Sequence, residues 1–423
     1  MKVAVLKFGG TSVASAETRR IAVERIRESL ERGESPVAVV SAMGRAPEPY
    51  ATDSLLSLIG GARSGPNADL LLSSGELISA AVLACELERE GVAAVALSGA
   101  QAGIITDDVH GDATIVRVDP RHVREVLEAK KIPVIAGFQG ISEEGEITTL
   151  GRGGTDLTAI ALGHALDAER IDVYTDVAGA MTADPRRVNG AHTIDRASLE
   201  EMTELAQHGA KIMHHKAADY AQRTRTPYAI RSLATGEGTV VDARLEPRKP
   251  VTGVTASGRV TWIRAIRGDI EDRQRRMQLE MHMFERLAAA GISIDQVTIN
   301  QAGVMFVVEG DRGEEIRKLL GDLNLAVRAR EACSKLSVVG EGMRYEPGVI
   351  HRIVSALSAV NVEIIHCTDS NITVSILVPS DDAARAEQAV HDEFHLSSFD
   401  YEVADATSTQ DDNGAKSEKT VTT

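Results

Sequence analysis

Aromatic and sulfur-bearing residues are scarce in this chain: one Trp, six Tyr, six Phe and three Cys in 423 residues. Cys85, Cys333 and Cys367 lie far apart without the paired spacing of a metal site. So few thiols argue against a disulfide-stapled secreted scaffold and point to a reduced, cytoplasmic setting. Basic residues are also in deficit, 46 against 62 acidic ones, for a formal net charge of −16. That excess of negative charge makes nucleic acid and anionic membrane surfaces poor partners, although a local basic site can still hold a small anion. The sequence suggests no run long and apolar enough to cross a bilayer, and residues 1–15 lack the charge-then-apolar layout of a secretion signal. Familiar nucleotide signatures are missing as well. No glycine directly precedes a lysine, which excludes a Walker loop, and neither G-x-G-x-x-G nor the protein-kinase H-R-D and D-F-G elements occur.

What is present has two grains. Up to about residue 235, short apolar runs ("PVAVVSA", "VAAVALSG", "IPVIAGFQG", "IDVYTDV") alternate with helical patterns. Such runs, rich in Val, Ile and Ala, predict a mostly parallel sheet covered by helices on both faces, with ligands bound at the carboxyl ends of its strands. The Gly, Ser, Thr and Asp residues collect at those ends. The first such end is "KFGGTS", Lys7 to Ser12, after the strand-like Val3 to Leu6 and ahead of a helix for which Ser15 is the expected N-cap. Glycines there let the backbone approach an anionic ligand, and Lys7 adds a full charge.

Three further stretches carry chemistry. In "TTLGRGGTDLTAIALGHAL", Arg152 stands between glycines just ahead of Thr155 and Asp156 at a helix start, a placement suited to capture of a carboxylate or phosphate. In "YTDVAGAMTADPRRV", Thr175 and Asp176 end a strand and Arg186 follows an Asp-Pro turn; in "SSGELISAA", Glu76 opens an amphipathic helix. Each has a plainer reading: Thr155 or Asp156 as an N-cap, Asp184-Pro185 as a turn former, Glu76 as a complement to a helix dipole. His208, His214 and His215 match no recognised metal pattern, and no metal-ligating residues are assigned.

"TGEGTVVDARLEPRKP" (Thr235 to Pro250) reads as a hinge. Beyond it, "LAAAGISIDQVTINQAGVMFVV" and "LSAVNVEIIHCTDSNITVSILV" align without a gap, each running from a helix end through two strands into a polar helix. This predicts a ferredoxin-like βαββαβ unit written twice. The last twenty residues are polar, without aromatics, and are expected to be disordered.

Taken in order, "KFGGTS", "SAMGRAPEPYATDSLL", "SSGE", "GFQG", "TTLGRGGTDLTA", "YTDVAGAMTADPR" and "HGAK" resemble the aspartokinases over essentially residues 1–400. The resemblance implies an α/β amino-acid-kinase fold over 1–245, ACT domains over 246–332 and 333–403, and a tail over 404–423. It implies transfer of a phosphoryl group from ATP, with Mg²⁺, to L-aspartate. Carried over by motif, Lys7 with Gly9 and Gly10 would stabilise the phosphoryl group. Glu76 would receive the substrate ammonium, Arg152 would clamp its α-carboxylate, Phe138 would wall the pocket, and Thr155 and Asp156 would organise it. Ser41, Thr175, Asp176, Arg186 and Lys211 would line the ATP site.

Two departures stand out from the family pattern: Met181 occupies the place of a tyrosine near the adenine, and His215-Lys216 replace the usual Pro-Arg. The first repeat lacks a D-x-P-G turn and has Ile299 where lysine- and threonine-inhibited relatives have glutamine; only the second repeat has a Pro-Gly, at Pro347-Gly348. This resembles the diaminopimelate-regulated class, with meso-diaminopimelate, or else lysine or threonine, expected near Asp295, Gln296 and Asn300. A homodimer or larger homo-oligomer through the ACT domains is expected. The alternatives are another amino-acid-kinase enzyme or a catalytically inactive amino-acid sensor.

Overall fold

In the computed structural model, residues 1–61, 64–210, 212–243, 249–267, 273–300, 303–323 and 325–397 are described. Lys211 and the tail 404–423 lie outside them.

The N-terminal part is built on an eight-stranded sheet. Its order is Arg196–Ser198, Gly238–Asp242, Tyr228–Ser232, Arg170–Thr175, Val3–Phe8, Ser35–Val40, Ile132–Ala136 and Ala94–Leu97. Pairing is parallel except between Tyr228–Ser232 and Gly238–Asp242. All six residues of Val3–Phe8 are buried because the strand is covered on both sides. Val3 and Val5 pack with Ile160, Leu162 and Val173 on one face. Leu6 and Phe8 pack with Ile26, Leu83 and Val134 on the other. An unbroken apolar run is what a strand between two helical layers requires. A separate four-stranded sheet, Ile115–Val118, Ile104–Thr106, Gln139–Ser142 and Ile147–Thr149, flanks this core.

Part of the expected hinge is strand instead. Gly238–Asp242 returns antiparallel to Tyr228–Ser232, and the fully buried Val241 joins the core, so the Val-Val pair outweighs the surrounding turn formers. A second correction concerns Pro66–Arg89, which is long and apolar enough by length and composition to span a bilayer. Half of its apolar window is buried inside the protein, against strands of the main sheet, and its buried face carries Asp69, Ser73 and Glu76. Core packing accounts for that apolar character.

The C-terminal part is a six-stranded antiparallel sheet ordered Asp295–Asn300, Gly303–Glu309, Gly253–Arg267, Leu325–Val339, Thr373–Pro379 and His366–Asp369. The two repeats are fused through its two 15-residue central strands. Ile263 and Ala265, late in Gly253–Arg267, pack with Met283, Leu287 and Ile316 of the helices Arg273–Ala289 and Gly313–Leu320. Val254, early in the same strand, packs with Ile353, Leu357 and Val390 of Val349–Ala359 and Ala383–Glu393. A register shift between Ala256 and Arg259 separates the two stretches.

Candidate active site

The strand Val3–Phe8 ends among its parallel neighbours, with Lys7 opposite Val39 and Val173 and Phe8 opposite Val40 and Tyr174. The chain then turns through Gly9 and a short 3-10 turn, Gly10–Ser12, before Ser15 caps the helix Ala16–Glu31, its hydroxyl accepting from the Thr18 N–H at 3.1 Å. Gly10 passes so close to the next strand end that a Cβ would lie 2.8 Å from the carbonyl oxygens of Ala42 and Gly44. No larger residue fits without moving this turn. Lys7 is 9% exposed, and its ammonium lies 2.6 Å from Asp156 Oδ1.

Asp156 comes from the second glycine-rich turn. Gly151 and Gly153 adopt φ of 74° and 70°, the left-handed region that other residues enter at a cost. Gly153 also packs so tightly on His214 that a Cβ would overlap the histidine's own. It is Gly153 itself that caps the helix Gly154–Ala165, which leaves Thr155 and Asp156 in the first turn rather than at the N-cap. Arg152, held between these glycines, is exposed and makes no ion pair among the described residues. Phe138, with φ of 68°, lies beneath the turn, where a Cβ on Gly154 would touch its ring.

Glu76 does not open a helix: it projects from the middle of Pro66–Arg89, three turns from the N-terminus, where a helix-dipole role does not apply, and is 2% exposed. One carboxylate oxygen accepts from the Ala42 N–H at 3.1 Å, and the other has no partner. Burial raises its pKa to about 8 against the opposing pull of that N–H. An unpartnered carboxylate oxygen at the edge of a cavity is an acceptor awaiting a cation.

These groups surround one cavity of about 960 Å³. The first strand end contributes Lys7, Gly9 and Gly10, and the next contributes Ser41. Glu76, Phe138, Arg152, Thr155, Asp156, Thr175 and Asp176 line the rest. Lys7, near the end of a strand of the main sheet, and Arg152, in the turn after the last strand of the four-stranded sheet, therefore face a common space.

Other expected residues are not brought there. Met181 forms an isolated bridge with Thr193, whose hydroxyl donates to its sulfur at 3.6 Å. Arg186 folds back onto Asp184 at 2.7 Å, the partner two residues away that turn geometry favours, and its side chain is 76% exposed. Neither lines the cavity, and Lys211 lies outside the described residues.

The three effector candidates do not converge either. Asp295 pairs with Lys335 and lines a second cavity of about 510 Å³ with His208 and Arg259. Burial alone would raise its carboxyl, yet the Lys335 ammonium, the Gln296 N–H and His208 together outweigh it and leave the pKa lowered. Gln296 has φ of 50° and an enclosed amide without a partner, while Asn300 sits exposed at the end of its strand.

The first cavity also holds groups the motifs did not single out. Arg45 reaches to 3.6 Å from Asp176, and Lys216 pairs with Asp112 across the Arg152 turn. Arg45 was visible inside "SAMGRAP", and Lys216 only as a departure after "HGAK"; Asp112 carried no signal.

The sequence matches the amino acid kinase family over residues 2–232 and the ACT domain over residues 336–394. Aspartokinase 1 of Bacillus subtilis is 39% identical over 408 residues, 94% of this chain and 100% of that protein. The aspartokinase of Corynebacterium glutamicum is 37% identical over 417 residues, 95% of this chain and 98% of that one. The chain belongs to the aspartokinases. The solved aspartate kinase of Clostridium acetobutylicum has the same fold, with a TM-score of 0.76 at 22% identity over 93% of this chain and all of that one. So does Escherichia coli aspartokinase III in complex with aspartate and ADP, with a TM-score of 0.74 at 24% identity and the same coverage. This aspartokinase is therefore an ATP-using aspartate kinase whose C-terminal sheet is of the regulatory ACT type.

Proposed function

We propose that the 960 Å³ cavity holds ATP and L-aspartate together and passes the γ-phosphoryl group directly to the β-carboxylate, giving ADP and 4-phospho-L-aspartate. The observation that carries this reading is the shared cavity of Lys7, Glu76 and Arg152. Glu76, with its unpartnered oxygen, receives the ammonium, and Arg152, which makes no ion pair among the described residues, takes the α-carboxylate. The β-carboxylate is then turned toward Lys7. It is already an anionic nucleophile at neutral pH, so no general base is required. The barrier lies in bringing two anions together, which falls to the Lys7 ammonium and the Gly9 and Gly10 amides.

Asp156 orients Lys7 through their ion pair; Thr155 and Phe138 shape the aspartate end. Ser41, Thr175 and Asp176 lie toward the nucleotide and offer only oxygen donors, which suit Mg²⁺ bound chiefly through the phosphates. When bound, the ion neutralises phosphate charge.

Escherichia coli aspartokinase III has been solved with lysine and aspartate together. For this chain we favour meso-diaminopimelate, with lysine or threonine as the other options, acting near Asp295, Gln296 and Asn300 on an enzyme that opens lysine, threonine and methionine synthesis. Such control requires the effector to bind one of two states better than the other. A homo-oligomer joined through the ACT sheet and a cytoplasmic location complete the proposal. An ADP-release assay with aspartate, glutamate or no acceptor, repeated with each effector, tests it. Release that depends on aspartate and falls with one effector is expected. Release with glutamate alone indicates another amino-acid kinase, and none with any acceptor indicates a sensor.

A further inference from the structure

Two turns before Glu76 on the same helix, Asp69 is fully enclosed, and its carboxylate gathers four donors. The Thr149 N–H and hydroxyl reach it at 3.0 and 2.7 Å, the Gly111 N–H at 3.1 Å and the His110 Nδ1 at 2.9 Å. None of these donors is close to Asp69 in sequence; they belong to two segments, the loop of His110 and Gly111 and the strand end at Thr149 that leads into the Arg152 turn. One, at Gly111 and Asp112, and the other, from Thr149 through Gly151 to Arg152, both line the active cavity. The loops also grip each other: the Ala113 N–H donates to the Thr149 carbonyl at 2.9 Å, and a Cβ on Gly151 would overlap the Asp112 carboxylate.

The helix is thus a ruler with two marks. At about 1.5 Å of rise per residue, Asp69 and Glu76 stand about 10 Å apart along one face. At one mark Glu76 presents its vacant oxygen, and at the other Asp69 holds the loop that carries Arg152. An apolar side chain at 69 could fill the same volume, but it could not accept from the Gly111 and Thr149 N–H groups.

We infer that Asp69 is a positioning residue that fixes the distance between Glu76 and Arg152, and through it the length of amino acid the cavity accepts. This rests on the assignment of ammonium recognition to Glu76 and carboxylate recognition to Arg152. Asp69→Asn puts an amide N–H₂ among donors and loosens the Arg152 loop without adding volume. Its KM for aspartate should rise about tenfold, with KM for ATP unchanged within about twofold and preference for aspartate over glutamate reduced. Equal rises in both KM values would reduce Asp69 to a general structural role and overturn the inference, as would an unchanged KM for aspartate. If Asp69→Asn does not fold, His110→Gln, which removes one of the four bonds, carries the test: a smaller rise in the same KM supports the inference and no rise overturns it. Arg152→Ala measured alongside separates the two levels. If it leaves KM for aspartate unchanged, the assignment of Arg152 fails; if it raises KM while Asp69→Asn does not, only the role of Asp69 fails.

Discussion

Arg187 and Glu387 join the two parts of the chain, the arginine Nε lying 3.1 Å from a carboxylate that is 1% exposed. Around them the Thr182 hydroxyl meets His391 Nε2 at 3.0 Å, and Gln388 exchanges hydrogen bonds with the backbone of Asn189. The last helix of the ACT sheet is thereby fastened to the segment carrying Met181 and Asp184. Burial pushes Glu387 up to about 7, with the Arg187 charge and the Asp184 backbone opposing and the Asp184 carboxylate adding a smaller rise.

A carboxyl raised on folding gives stability that is complete below its ordinary pKa of 4.5 and lost as pH rises through about 7. Glu387→Gln should flatten this part of the decline of melting temperature between pH 5 and 8. Arg187→Ala at pH 8 should cost about 3 kcal/mol by leaving a buried charge uncompensated. Calorimetry across that range checks both, and an undiminished slope in Glu387→Gln would contradict the assignment.

Glu76 makes a second pH prediction with a different readout. In the free enzyme its pKa is about 8, so at pH 7 it is mostly protonated. A bound ammonium group favours the carboxylate, so aspartate binding should release a proton at pH 7, and affinity should increase with pH up to about 8. Titration calorimetry in two buffers of different ionisation enthalpy measures the proton. Glu76→Gln should abolish its release, and release persisting in that variant would place the proton elsewhere.

Loss of Lys7 should harm turnover more than folding. Lys7→Ala is expected to lower kcat by about 10² to 10³, the scale of removing one preorganised donor to developing charge. Stopped-time product assays with circular dichroism as a folding control decide this; a folded variant with near-normal turnover contradicts it.

Much of this architecture was legible because it is periodic. The apolar runs of a covered parallel sheet, the glycines at its strand ends and the duplicated C-terminal pattern all follow from local rules. Contacts between distant residues were not. A period of two says that Gly253–Arg267 is a strand, but not that its two ends serve different units. Asp69 and Glu387 carried no signal, because nothing local says that folding encloses them. Arg186 looked available for phosphate because the sequence does not say that Asp184 holds its guanidinium. Lys7 and Arg152 were found because each sits in a strand-end or helix-start motif whose backbone already points toward a ligand, whereas Glu76, in the middle of Pro66–Arg89, was found through "SSGE" in the family pattern.

The most direct test of the shared cavity is the steady-state kinetics of Arg152→Ala, varying aspartate and ATP separately. We expect KM for aspartate to rise at least about a hundredfold, the cost of losing a charged partner to a carboxylate, while KM for ATP stays within about twofold. An unchanged KM for aspartate in a folded Arg152→Ala enzyme would mean that the two anions do not meet between Lys7 and Arg152.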